Sequence, residues 1–341
     1  MLIKKNLKLL QKSHILSFLL FINQFVFGQS PDMIVVNKVR SNANMPGSLA
    51  FVEFNTGKII KTVAVGNEPH EVCVSDDKRF ALVTNTGSYK EPNNTLSLID
   101  IPNEVEKYRI DLGPLWNPHG TIFHNGLFYF TAEGSRTIGA YDPEKNKLVW
   151  LNGTGQDQTH MLAMTKNGKK LISTNRGSGT ISIFELMEEN TLKGGAWKET
   201  IIKVGRSPEG LDINPDESKV FVGCAGKISI VDLEQKKETD SIATGENRAA
   251  RIKFTLDGKY VLGTAGREGM LLFIDVASHK IVKSLPVGAG AESIFILPDG
   301  KHVMVSITNE DLVAEIDLRT MEITRKLKGF TGPDAMAWLG K

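Results

Sequence analysis

The chain has 341 residues, with 41 Lys and Arg against 39 Asp and Glu, a formal net charge of +2. This near balance lacks the general basic excess that a nucleic-acid partner calls for, and none is expected. The two Cys, Cys73 and Cys224, fall in distant repeats and read as small buried hydrophobes, and without a C-x-x-C-H word covalent haem is not expected.

At the N-terminus, Lys4, Lys5, Lys8 and Lys12 precede an apolar run from Ile15 to Phe27, and Val26-Phe27-Gly28 offers a cleavage site. Residues 1–28 read as a secretory signal peptide, and residues 29–341 as the mature chain, periplasmic or secreted. The apolar run is short for a spanning helix, so no transmembrane segment is expected in the mature chain. Its removal leaves 37 basic against 39 acidic groups.

Next comes Met33-Ile34-Val35-Val36-Asn37, which looks like a second strand with no first strand before it. From there one unit recurs. Seven acidic residues, Glu53, Asp100, Asp142, Glu185, Asp232, Asp275 and Asp317, close short apolar runs at steps of 47, 42, 43, 47, 43 and 42 residues. Each unit has an inner strand after a Gly-x-x-Pro-like turn, a turn of the Asp-Gly-Lys kind, a second strand, a third ending at the acidic residue, and a fourth leading on. Alternating apolar and polar residues with Gly, Asp and Asn at the turns predict four antiparallel strands per unit. A period of 40 to 50 residues built this way predicts an all-β propeller. The acidic residues themselves are expected to be structural, accepting backbone N–H groups at turns.

The words ALVTN (81–85), LISTN (171–175) and IVVN (34–37), with PDGK (298–301), resemble the YVTN repeat family of bacterial propellers across residues 33–341. The resemblance implies a seven-bladed propeller. It implies little about activity, since that family includes binding proteins, surface proteins and enzymes. Inner strands begin near Pro69, Pro118, Thr159, Pro208, Ala249, Ala291 and Pro333. The last has no successor, so the ring is expected to close by pairing this C-terminal strand with Met33–Asn37. Two loops exceed the repeat, Tyr89 to Asn94 and the hairpin around Met187 to Lys198.

The residue after each inner-strand head is, in turn, His70, His119, His160, Glu209, either Ala249 or Ala250, Glu292 and Asp334. The mature chain has six His, and three share this register in consecutive units. Three imidazoles with a carboxylate suit a transition metal such as zinc, copper, iron or manganese. The alternative is a solvated rim of polar residues around the channel. Second-to-third strand loops and nearby turns add Asn85, Glu133, Asn175, Arg176, Arg206, Arg248, Arg251, Arg267 and Asn309, of which the Arg could clamp an anion or make structural ion pairs. Trp116 is either a stacking wall or loop packing.

Glu209, Glu292, Asp334, Arg176, Arg248, Arg251 and Arg267 are thus the ligand-binding candidates, and His70, His119 and His160 the metal candidates. GTGQD (153–157) and GAGAES (288–293) lack the strand-loop-helix context of a nucleotide cradle, and no nucleophile elbow occurs. The leading reading is a propeller that binds a small, anionic ligand or a metal, with metal-dependent catalysis open. The site resembles in kind the His-lined channels of copper-dependent reductase propellers and the His/Glu sites of metal-dependent lyase propellers, with fewer His than the first. Alternatives are an interaction scaffold for a protein or cell-surface polymer, and a lactonase-like hydrolase matched by fold but by no catalytic residue.

Overall fold

A computed structural model describes residues 31–39, 45–88, 90–188 and 196–340, without the side chains of Glu188 and of residues 246–248. The expected signal peptide, Tyr89 and the tip of the long hairpin lie outside the described residues.

Seven small antiparallel sheets make a ring, a seven-bladed β-propeller. Blade 1 combines Met33–Asn37, Pro46–Glu53 and Lys58–Asn67 with Pro333–Trp338, which lies antiparallel beside Met33–Asn37 with Met33 opposite Trp338 and Val35 opposite Met336. Blades 2, 3 and 4 start with inner strands Pro69–Val74, Pro118–His124 and Thr159–Met164. Blades 5, 6 and 7 start with Leu211–Ile213, Ile252–Phe254 and Ala291–Ile296. In blade 5 the second and third strands form one run, Lys219–Asp232. This run is a hairpin turning at Gly226 (φ 82°), because the Leu233 N–H reaches Ser218 O at 2.9 Å.

What holds the ring together is apolar packing between blades. Seven clusters of buried side chains are present among the described residues, and each is drawn from two neighbouring blades. One of them joins Val35, Val52 and Met336 of blade 1 to Met304 and Val313 of blade 7, so the circuit is complete. Fully burying a Val, Leu or Phe stabilises by about 1.5–3 kcal/mol, which makes these interfaces the main source of stability. Among the described residues no helix is long and apolar enough to cross a membrane.

The repeated words have local causes. In ALVTN, the Asn85 amide donates to Thr95 Oγ1 (3.1 Å) and Ser97 Oγ (2.9 Å) on the third strand and accepts the Gly66 N–H at 2.9 Å. Asn175 of LISTN does the same toward Thr180 and Ser182. Both are fully buried, so these two residues expected at the rim are structural. The periodic acids behave as expected where they are Asp. Asp232 accepts the N–H groups of Glu234 (3.0 Å) and Gln235 (2.7 Å), and Asp317 those of Arg319 (2.8 Å) and Thr320 (2.7 Å). These bonds favour the charged form and hold both carboxyls below their usual pKa.

Candidate functional site

The other half of the VTN word places the site. In each of several blades a second-strand hydroxyl donates to the carbonyl of the residue heading the next inner strand: Thr84 to His119 O (2.7 Å), Thr131 to His160 O (2.6 Å), Thr174 to Glu209 O (2.8 Å) and Thr264 to Glu292 O (2.9 Å). The same hydroxyls accept an inner-strand N–H of their own blade, as Thr84 does from Glu71 at 3.1 Å. Just before the heads, the chain turns sharply through left-handed residues such as Glu68 (φ 42°), Asn117 (φ 53°) and Gln158 (φ 54°). Asn tolerates this region well, and Asn117 also ties its amide to Thr86 O at 2.9 Å.

Blade 5 departs from the pattern and resolves the sequence ambiguity. Gly223 stands where blades 2, 3, 4 and 6 have Thr, and a Cβ there would lie 2.0 Å from Ala249 O. With no hydroxyl to hold the next head, Ala250 O is taken by the Gly210 N–H at 2.7 Å. Arg251 then falls in the register of Glu71, its N–H on Thr264 Oγ1 at 3.1 Å, so Ala250 is the counterpart of the histidines. The inner strands of blades 5 and 6 consequently begin later than expected, at Leu211 and Ile252.

The three histidines come together, but as a stack. Ring centroids lie 4.8 Å apart for His70 and His119 and 4.0 Å for His119 and His160, at interplanar angles of 44° and 39°. No group of three or more His, Cys, Asp or Glu among the described residues is arranged to hold a metal ion. The expected three-imidazole coordination is thus not shown among the described residues. The shared register fixes where the rings start, and neighbouring blades bring them close together with their planes tilted.

Each end of the stack is anchored by a carboxylate. His160 Nδ1 meets Glu133 Oε1 at 2.5 Å, and its Nε2 lies 3.6 Å from Glu209 Oε1. Arg176 approaches the other Glu209 oxygen at 3.7 Å. At the far end, Asp334 Oδ2 is 3.4 Å from His70 Nδ1 and 3.2 Å from Lys38 Nζ. His119, in the middle, is buried and its Nδ1 has no hydrogen-bond partner. Burial, then the neighbouring imidazoles and Arg251, push His119 well below the ordinary imidazole pKa. Burial also lowers His160 in spite of Glu133. Asp334 goes the opposite way to what burial favours, since Lys38, His70 and Arg251 together hold it well below the carboxylate range.

A cavity of about 410 Å³ opens over this stack. Lys38, His70, Lys90, Asn117, His119 and Arg176 face it, together with the carboxylates Glu68 and Glu133. Three cations thus stand on its wall against two carboxylates, one of them committed to His160. Asp334, only 1% exposed, sits behind Lys38 and His70. Sequence reasoning missed Lys38, which follows the IVVN word and carries no repeat signal, and counted Glu133 only as a loop residue.

The remaining candidates lie elsewhere. Glu292 and the exposed Arg206 and Arg267 line a wider rim cavity of about 720 Å³ over blades 5 to 7, with Asn309 and one face of Glu209. The Arg248 side chain lies outside the described residues. Arg251 does not line the histidine cavity. It crosses the channel from blade 6 to Glu71 of blade 2, with Nη2 to Oε1 at 2.5 Å, and stands 3.9 Å from Asp334. Trp116 is 42% exposed at the rim and does not line the histidine cavity.

Comparison with known proteins supports the fold and little more. A cytochrome D1 heme domain model matches residues 214–331, and it is this model, not the YVTN repeats, that the family comparison returns. No curated protein matches the chain. Among solved structures, a functionally unknown protein from Desulfotomaculum acetoxidans superposes with a TM-score of 0.71 at 15% identity, covering 91% of this chain and 99% of that one. Hydrazine synthase from Kuenenia stuttgartiensis gives 0.68 at 18% identity, covering 81% and 90%. A Bacteroides fragilis protein provisionally assigned as a 6-phosphogluconolactonase gives 0.70 at 15% identity, covering 91% and 98%.

The stretch matching the heme-domain model offers no channel-facing imidazole among its described residues. Its imidazoles, His279 and His302, are tied to Asp240 and Asp299 at 2.7 and 2.6 Å, and neither faces the channel cavities. The channel histidines lie outside that stretch, and their 4.0 and 4.8 Å spacings leave no room for a macrocycle between rings.

Proposed function

We propose that this chain is an exported, ligand-binding propeller whose mouth cavity takes a small anionic molecule. One observation carries the reading: Lys38 and Arg176 face a cavity of about 410 Å³ from its two sides, with neutral imidazoles between them and Asp334 and Glu209 fixing them from behind. Cations held in place by buried carboxylates can bind an anion without first being ordered, which lowers the entropic cost of binding. A neutral His119 adds an uncharged polar edge with spare hydrogen-bonding capacity. The size lies within the ordinary range of small-molecule sites, about 300–1,000 Å³.

The lactonase assignments of two Bacteroides neighbours, from Bacteroides fragilis and Bacteroides uniformis, name a substrate of this class, a phosphorylated sugar acid lactone. Binding alone does not need hydrolysis, although two channel imidazoles are held by carboxylates: His160 on Glu133 does not reach the cavity wall, whereas His70, 3.4 Å from Asp334, does. The test is calorimetric titration with 6-phosphogluconate, gluconate and glucose, a series of falling charge. Affinity should fall in that order, and Lys38→Ala or Arg176→Ala should each weaken 6-phosphogluconate about tenfold while leaving glucose unchanged. Equal binding of glucose, or no saturable binding by any of the three, would discard the anion reading.

A further inference from the structure

The channel has a second chamber. The Glu71–Arg251 ion pair spans the ring between blades 2 and 6 and forms the ceiling of a cavity of about 630 Å³ at the end away from the histidines. Its walls come from the inner strands of all seven blades and are mainly hydrocarbon, with Val72, Leu162, Leu211, Ile252, Ile294 and Met336 among them. The same side chains belong to the clusters between blades, so this wall is the channel-facing edge of the core. Most residues on this wall are apolar, whereas most of those around the mouth are polar.

We infer that this chamber is a binding site for a neutral amphiphile, one with an apolar body and a single carbonyl or hydroxyl oxygen. The charged groups on its wall already have partners there or beside it. Arg251 meets Glu71 at 2.5 Å, Lys253 meets Asp212 at 3.4 Å, and Lys78 donates to Trp338 O at 2.9 Å. Apart from the exposed Lys78, which is held by a neutral carbonyl, the charges on this wall are already matched by opposite charges. An anionic head would also become the third carboxylate around one guanidinium, since Asp334 stands 3.9 Å from Arg251. Two donors on its lining side chains, however, are buried without a hydrogen-bond partner, Arg251 Nε and Trp338 Nε1, and of these Arg251 Nε belongs to the ion pair at the ceiling and not to the mouth. A buried donor without an acceptor is costly, and a ligand oxygen beneath it would remove that cost while hydrocarbon covers the walls. The site is independent of the anion reading above, with the ion pair between the two.

Three probes with the same eight-carbon body and different heads decide it: 2-octanone, octanoate and protonated octylamine, each titrated into the full chain by calorimetry. The ketone should bind at a single site, about tenfold or more tighter than either ion. A tighter octanoate or octylamine, or no saturable binding of the ketone, overturns the assignment. Val74→Glu places a charge on the half-buried wall and should abolish ketone binding, as should Ile296→Glu from another blade. Unchanged ketone affinity in a folded form of either variant would also overturn it. Should both variants fail to fold, the head-group series on the native chain still separates the two outcomes.

Discussion

Two sets of carboxylates divide this molecule. At the outer turns, Asp232, Asp275 and Asp317 recur with the blade period and are satisfied locally, by backbone N–H groups two or three residues on. In the channel, Glu71 and Glu133 stand outside the acidic turn period and Asp334 shares only the inner-strand head register; all three are nearly out of water and are paired with Arg251, His160 and Lys38 from other blades or distant parts of the chain. A turn carboxylate exchanges water for amides at the surface, whereas a channel carboxylate loses its water and depends on one partner. Periodicity therefore marks what builds the blades, and its breakdown marks what sets this channel apart from any other ring of blades.

That contrast predicts a graded series of effects. The largest belongs to Arg251→Met, which strands Glu71 and leaves Asp334 with one cation fewer. A loss of about 3–5 kcal/mol is expected in denaturant unfolding, mostly restored in the double variant Glu71→Gln/Arg251→Met. A loss under about 1 kcal/mol, in the range of surface pairs, would erase the distinction between the two sets.

Acid sensitivity comes next. His119 and His160 have folded-state pKa values below the ordinary one, so between those values and about 6.5 the unfolded chain binds more protons. Stability should be full above about pH 6.5 and fall as pH drops through the folded values. Asp334 adds loss of the same sign at lower pH, because its folded pKa is also depressed. Unfolding midpoints measured from pH 7.5 downward check this, and His119→Phe should flatten the upper part of the slope. A flat profile in the native protein would mean that the stack titrates like free imidazole.

Thr84→Val should cost about 1–3 kcal/mol, since it leaves His119 O and the Glu71 N–H without their shared hydroxyl in a fully buried place. The smallest effect is expected from Asp317→Ala, where the freed amides turn to water. Its fall in Tm should be less than that of Thr84→Val, and the reverse order would contradict the contrast.

The fold is readable in the sequence because its causes repeat. The acidic turn residues, the VTN words and the alternation of strands each recur, and the inter-blade clusters follow from them. The site is readable only in part. His70, His119, His160, Glu209 and Asp334 stand out because they share a register, and the structure gathers them around one stretch of channel. Lys38 and Glu71 escape notice because their roles depend on partners up to 296 residues away, on the other side of the ring or at the other end of the chain. Metal coordination is expected from the register and is not shown among the described residues, since register gives neighbourhood but not the direction of a ring nitrogen. Arg251 reads as a mouth residue in the sequence because one inserted residue between blades 5 and 6 hides which way its side chain faces.

The most direct test reads the imidazoles themselves, by nitrogen-resolved NMR of the six histidines from about pH 8 to pH 5, with and without 6-phosphogluconate. A preorganised channel predicts that His119 stays neutral well below about pH 6.5, and that the anion shifts His70 and His119 but leaves His279 and His302 unmoved. Titration of His119 near about 6.5, with ligand shifts absent or spread over all six, would contradict it.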